Sequence, residues 1–254
     1  MLTLLLNRPT SDMPSDLSDF LVEYYMHMSA ASMISTDPKH TVPTLSHEIE
    51  TLARSLVDKG YVGQLSGCWL EMLTVIPQVF HLGQRMMTSA NTPHSPDDII
   101  TFGLLQSQIM AFSPDASVNP YSRLAGLVFK QGVLLYLWSI LGLPHQQVAS
   151  SAHANFISMA VAEAVALLNQ FPANLRVNTS LCWPLAVIGC CTADPEVQDF
   201  LRQRLRVMHE TIGLGNMRET LTLMEHVWVG PRENMSPWKL AQTMEEHQLW
   251  ISFA

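Results

Sequence analysis

Four prolines in this chain each follow a short capping side chain and open onto a stretch of helical periodicity. They stand in Ser95-Pro96, Asn119-Pro120, Asp194-Pro195 and Ser236-Pro237. Serine, asparagine or aspartate accepts a hydrogen bond from the first free amides of a helix, and proline at the first helical position loses an N–H that has no partner there anyway. The pairs therefore predict four helix starts. Downstream of Pro195, residues Val197, Leu201, Leu205, Met208 and Ile212 recur at steps of three and four, and Gly213 ends the run. The same reading places helices at about 15–34, with Leu17, Phe20, Leu21, Tyr24 and Met28 on its apolar stripe, and at 44–58, stopped by Gly60. Others follow at about 64–87, with Pro77 as an internal kink, and at 96–112, 120–143, 145–171, 181–191, 217–229 and 237–248. Neither an Asn-Gly hairpin nor sustained two-residue alternation is present. The predicted fold is all-α, a single domain of about ten helices over residues 1–254, with 87–96 the most loop-like segment.

Apolar residues make up 48% of the 254 residues and charged residues only 14%, against about a quarter in an average domain. Much of the chain must lie inside a core, against an apolar pocket, or on a partner. The formal net charge of −8 argues against direct nucleic-acid binding, which needs clustered Lys and Arg. The densest basic run, Arg202, Arg204 and Arg206, shares its helix with Glu196, Asp199 and Glu210 and reads as a solvated face. Cys68, Cys182, Cys190 and Cys191 form no C-x-x-C pair and sit in apolar stretches, which suits buried, reduced thiols of an intracellular protein. Met1–Leu6 has no basic leader and too short an apolar run for a signal peptide. Residues 124–143 have the length of a membrane span but contain Lys130, Gln131 and three glycines, so a buried core helix is expected instead.

Several segments taken together resemble the fungal-specific transcription factor domain, the regulatory half of zinc-cluster regulators. They are Gly67-Cys-Trp-Leu-Glu71 leading to Ile76-Pro77, Gly132-Val-Leu-Leu-Tyr-Leu-Trp138, and Leu181-Cys-Trp-Pro-Leu185 with Gly189-Cys190. Gly213-Leu-Gly-Asn216 leading to Trp228 completes the set. The resemblance spans about residues 15–235 and implies a multi-helix regulatory fold. Regulators of this kind carry a six-cysteine zinc cluster and a basic linker, and these 254 residues hold neither. The chain then reads either as a fragment or as a stand-alone relative without DNA binding.

The sequence holds no H-E-x-x-H, P-loop, G-x-S-x-G or dinucleotide fingerprint, and its ten histidines show no chelating spacing. No metal or other cofactor is therefore expected. What remains are polar groups inside apolar helices. Glu163, in Met159-Ala-Val-Ala-Glu-Ala-Val-Ala166, would serve as a general acid if enclosed, since desolvation raises a carboxyl pKa. The alternative is a carboxylate on the helix's polar edge. His153 on the same helix is the second catalytic candidate. Glu71, Tyr24, Tyr136, Trp138 and Trp183 are candidate substrate-binding residues; the alternative is a structural hydrogen bond for Glu71 and plain core for the four aromatics. The resulting first expectation is a cofactor-independent cyclase or isomerase of fungal specialised metabolism, cytoplasmic, orienting a hydrophobic small molecule in an apolar pocket. The alternative is an effector- or partner-binding regulatory module, nuclear, that does not itself bind DNA. A third expectation is a homodimer formed through an exposed apolar helix face.

Overall fold

A computed structural model describes residues 15–40, 45–88, 95–143 and 152–253. Among these residues ten α-helices follow one another: α1 (Ser15–Met33), α2 (His47–Asp58), α3 (Leu70–Thr88), α4 (Pro96–Ala111), α5 (Pro120–Trp138), α6 (Ala152–Leu168), α7 (Cys182–Cys190), α8 (Pro195–Ile212), α9 (Gly215–Val229) and α10 (Leu240–Glu246). Short 3₁₀ turns occupy Ser139–Leu141, Arg176–Ser180, Arg232–Asn234 and Pro237–Lys239, and no strand occurs among the described residues. The all-α expectation holds. Residues 145–151 of the sixth expected helix and 89–94 of the expected loop lie outside the described residues.

All four capping side chains act as the sequence requires. Ser95 accepts from the Asp97 amide, Asn119 from Tyr121, Asp194 from Glu196 and Ser236 from Trp238, at 3.3, 2.9, 2.9 and 3.3 Å. The last opens a 3₁₀ turn that continues into α10. Gly213 closes α8 in the left-handed region at φ 81°, where a side chain would be strained. α3 runs on through Pro77 without ending.

α5 is the central element and packs against α3, α4, α6 and α7. All of its residues from Val133 to Trp138 are buried, which accounts for its membrane-like composition: by length and apolarity it would pass as a span, but it serves as a core helix. α7 is buried along its whole length. Aromatic rings stitch these layers together. Trp69 stacks on Phe129 at 5.5 Å, Phe129 on Trp183 at 5.9 Å, Trp183 meets Tyr136 edge-on at 5.5 Å, and Tyr136 stacks on Trp238 at 4.3 Å. Trp238 also donates from Nε1 to the Ser139 hydroxyl at 3.0 Å, tying the C-terminal segment to the end of α5. Gly83 on α3 leaves room for that indole, because a Cβ there would lie 2.2 Å from the ring.

Two sequence expectations are corrected. The stripe Leu17, Phe20, Leu21, Tyr24 and Met28 is the outer side of α1, while Val22, Glu23, Met26, His27, Ala30 and Met33 face inward. Both faces of this helix are apolar, so periodicity alone does not separate them. What fixes the orientation is Glu23, whose carboxylate is bound inside the protein. The 64–69 stretch, expected as helix, is instead the irregular loop that binds it, with Gly67 at φ 50°.

A polar candidate site between α2 and α3

α3 is apolar except along one edge, where Glu71, Thr74, Gln78, His81 and Arg85 recur at steps of three and four. The N-terminal part of this edge faces α2, which presents Glu50, Arg54, Val57 and Asp58 at the same helical spacing. Between the two helices lies a cleft of about 510 Å³, bounded also by Met26 of α1 and Gln108 of α4. Three carboxylates (Glu50, Asp58, Glu71) and one guanidinium (Arg54) line it, together with two amides and a hydroxyl. Its volume is in the usual range for small-molecule sites, but its chemistry is polar and anionic. The hydrophobic pocket expected for an apolar ligand is not what this cleft offers. Glu71 also lines a smaller cleft of about 150 Å³ beside Tyr61, Cys68 and Phe112. A third depression, about 310 Å³, lies between α6 and the α7–α8 junction around Val161, Cys191 and Asp194.

The residues singled out from sequence do not converge on one site. Glu71 is half-buried and lines the polar cleft. Tyr136 and Trp183 touch each other inside the core and line none of the three clefts. Burial pushes the Tyr136 hydroxyl well above the usual phenol range, so it stays protonated. Trp138 is buried at the end of α5, donating from Nε1 to the Gln106 side chain at 2.8 Å while its ring meets Phe156 at 5.7 Å. Tyr24 is half-buried on the outer side of α1, its ring 6.3 Å from Phe20. His153 shares a hydrogen bond of 2.9 Å between Nε2 and the Gly142 carbonyl, a contact that fastens the start of α6 to the turn after α5. Glu163 is exposed, so the enclosure that would make it a general acid is missing, and the polar-edge alternative describes it. Its neighbours are mostly alanine and valine, too small to shelter a carboxylate.

Two buried ions were not recognised as such from sequence. Glu23 is fully buried and accepts five hydrogen bonds: from the Tyr61 hydroxyl, the backbone amides of Gln64, Leu65 and Ser66, and the Ser66 hydroxyl, at 2.6–3.1 Å. Gly63 lets the loop close over it, since a Cβ there would fall 1.9 Å from the carboxylate. Next to this cradle, desolvation lowers the His27 pKa, with the Glu23 charge opposing. Arg204, expected on a solvated face, is 6% exposed. It donates to the carbonyls of Leu168 and Phe171 and to Asn178 Oδ1, and lies 4.6 Å over the Phe171 ring. Asn178 is itself buried in that contact. Arg202 does behave as a surface charge, pairing with Glu225 and Asp199. The four cysteines are free thiols; burial raises Cys182 to about 12, and Cys190 and Cys191 higher still, which makes them poor nucleophiles.

The signal for the cleft was present in the polar edge of α3, which stands out in an otherwise apolar helix, but Glu50, Arg54 and Gln108 look like ordinary surface residues until the helices are placed. Among the described residues no group of three His, Cys, Asp or Glu is placed to hold a metal ion. No curated protein and no solved structure matches the chain. The model of the fungal specific transcription factor domain matches over residues 1–254, and the all-helical architecture agrees with that match: the chain belongs to the fungal specific transcription factor domain family.

Proposed function

We propose that this chain is a regulatory module of the zinc-cluster type of transcription regulator, working in the nucleus by binding an effector and not by contacting DNA itself. The observation that carries this reading is the family match across all 254 residues. Four cysteines cannot build a six-cysteine cluster, and a net charge of −8 repels a phosphate backbone. The polar cleft supplies a place for the effector. Its three carboxylates against one guanidinium favour a small molecule that carries positive charge and several hydrogen-bond donors, such as an amine or amino sugar.

The cyclase reading needs a shaped apolar cavity with one or two hydrogen-bond donors to orient the substrate. The exposed Glu163 and the packed Tyr136 and Trp183 lend it no support. Deleting the gene and profiling transcripts with metabolites separates the two. Silencing of a whole set of genes is the expected result; accumulation of one intermediate with transcripts unchanged would overturn the regulatory reading. For the effector, calorimetric titration with small amines is expected to show binding that Glu71→Gln weakens about tenfold, the loss of about 1.4 kcal/mol characteristic of one charged hydrogen bond.

A further inference from the structure

From Ile99 to Ala111 helix α4 contains no charged residue. Its inner side, with Leu105 and Ile109, packs into the core. Its outer side carries Ile99, Ile100, Leu104 and Met110, which are 59%, 60%, 67% and 56% exposed. Gly103 stands at the middle of that side with nothing within 4 Å of where a Cβ would be. The apolar surface continues onto α6. Trp138 joins the two helices from beneath, bonded to Gln106 of α4 and in ring contact with Phe156, and Phe156 and Met159 are themselves 53% and 67% exposed. A monomer rarely leaves so much contiguous apolar surface in water.

We infer that this face is the interface of a homodimer, with α4 of one copy packed antiparallel on α4 of the other about a two-fold axis through Gly103. Three observations favour a second copy as the occupant. An uncharged apolar stripe is complementary to itself, as an isologous interface demands. The missing side chain at Gly103 lets two helices approach closely at the crossing point. The antiparallel sense also matches the charges at the helix ends. Asp97 lies in the acidic first turn, while Lys130 caps the far end by donating to the Met110 and Phe112 carbonyls at 2.7 and 2.9 Å. Each acidic end then meets the partner's lysine. None of these exposed apolar side chains lines the polar cleft, so the interface stands whether or not the cleft takes an effector.

Sedimentation of the whole chain at tens of micromolar is expected to give twice the 28.4 kDa mass. Leu104→Glu and Ile100→Glu are each expected to give monomers with unchanged helical circular dichroism, since both positions are exposed in the single copy, and with a melting temperature that no longer rises with protein concentration. Gly103→Cys under mild oxidation is expected to cross-link to its own copy. A wild-type monomer at that concentration overturns the proposal, even if it captures an amphipathic helix from elsewhere. A dimer that survives both glutamate variants, or a Gly103→Cys dimer that fails to cross-link, overturns it as well by placing the contact on another face.

Discussion

The loop over Glu23 and the turn around Arg204 solve the same problem with opposite polarity. Each region holds a buried ion with no counter-ion within reach among the described residues, and each surrounds it with neutral dipoles. Around Glu23 the partners are mostly backbone N–H groups, each with one hydrogen and one place to put it. Around Arg204 they are mostly carbonyls, which have two lone pairs and tolerate an unfilled one more readily. The carboxylate is also the better satisfied, with five donors on two oxygens, whereas the Arg204 Nε has no partner. The two sites should therefore respond very differently to loss of the ion. An anion removed strands donors; a cation removed leaves acceptors.

Glu23→Ala is the most disruptive test of this comparison. Three backbone amides lose their acceptor, and at about 1–3 kcal/mol for each stranded group a total of about 4 kcal/mol is expected in urea unfolding. Arg204→Met keeps the apolar stem and its contact with Phe171 and should cost about half as much, about 2 kcal/mol. Equal losses at the two sites would refute the donor–acceptor asymmetry. Tyr61→Phe removes a single one of the five donors and should cost about 1 kcal/mol. In the wild type, burial and the Glu23 charge push the Tyr61 hydroxyl up to about 12. The unfolded chain therefore ionises first, and stability should fall as pH rises from about 10 towards about 12. An ultraviolet titration of wild type against Tyr61→Phe reports whether that late-titrating phenol is missing from the variant.

The smallest effect is expected on the acid side. His27 has a lowered pKa in the folded protein, so below about 6.5 the unfolded chain takes up a proton that the folded one refuses. Stability should decline as pH falls from that point and level off below the folded-state pKa. His27→Gln should remove this part of the acid dependence in melting curves recorded between about pH 7 and about pH 5. An unchanged slope would mean that the imidazole takes up its proton at the same pH in the folded and the unfolded chain, the Glu23 charge then fully offsetting its burial.

The helices were legible because their signals are local. Ser95, Asn119, Asp194 and Ser236 each act within two residues, and Gly60 and Gly213 take the left-handed conformation that ends a helix on their own account. The inner side of α1 was not legible, because it depends on a carboxylate finding a loop about forty residues away. Arg204 misled for the same reason. Its neighbours Arg202 and Arg206 suggest a wet surface, and only the turn at 168–178, folded back over it, makes the site dry. Glu71 stood out as a carboxylate within an apolar stretch, but the cleft it lines needs Glu50, Arg54 and Gln108 from two other helices. Tyr136 and Trp183 were ambiguous from sequence because a ring that fills a core and a ring that lines a pocket obey the same periodicity.

The cradle of Glu23 also bears on the order in which the chain can fold. Its hydrogen bonds span 38 to 43 residues, and the Ser180 hydroxyl donates to the Leu65 carbonyl of the same loop across 115 residues. The amides that bind the carboxylate face it together only when the loop has taken its bend at Gly67, and closing loops of this length is slow compared with forming a helix. α1 is therefore expected to dock after α3 and the 176–180 turn have framed its receptor. In stopped-flow experiments, losing the Glu23 carboxylate should accelerate unfolding while leaving the refolding rate almost unchanged.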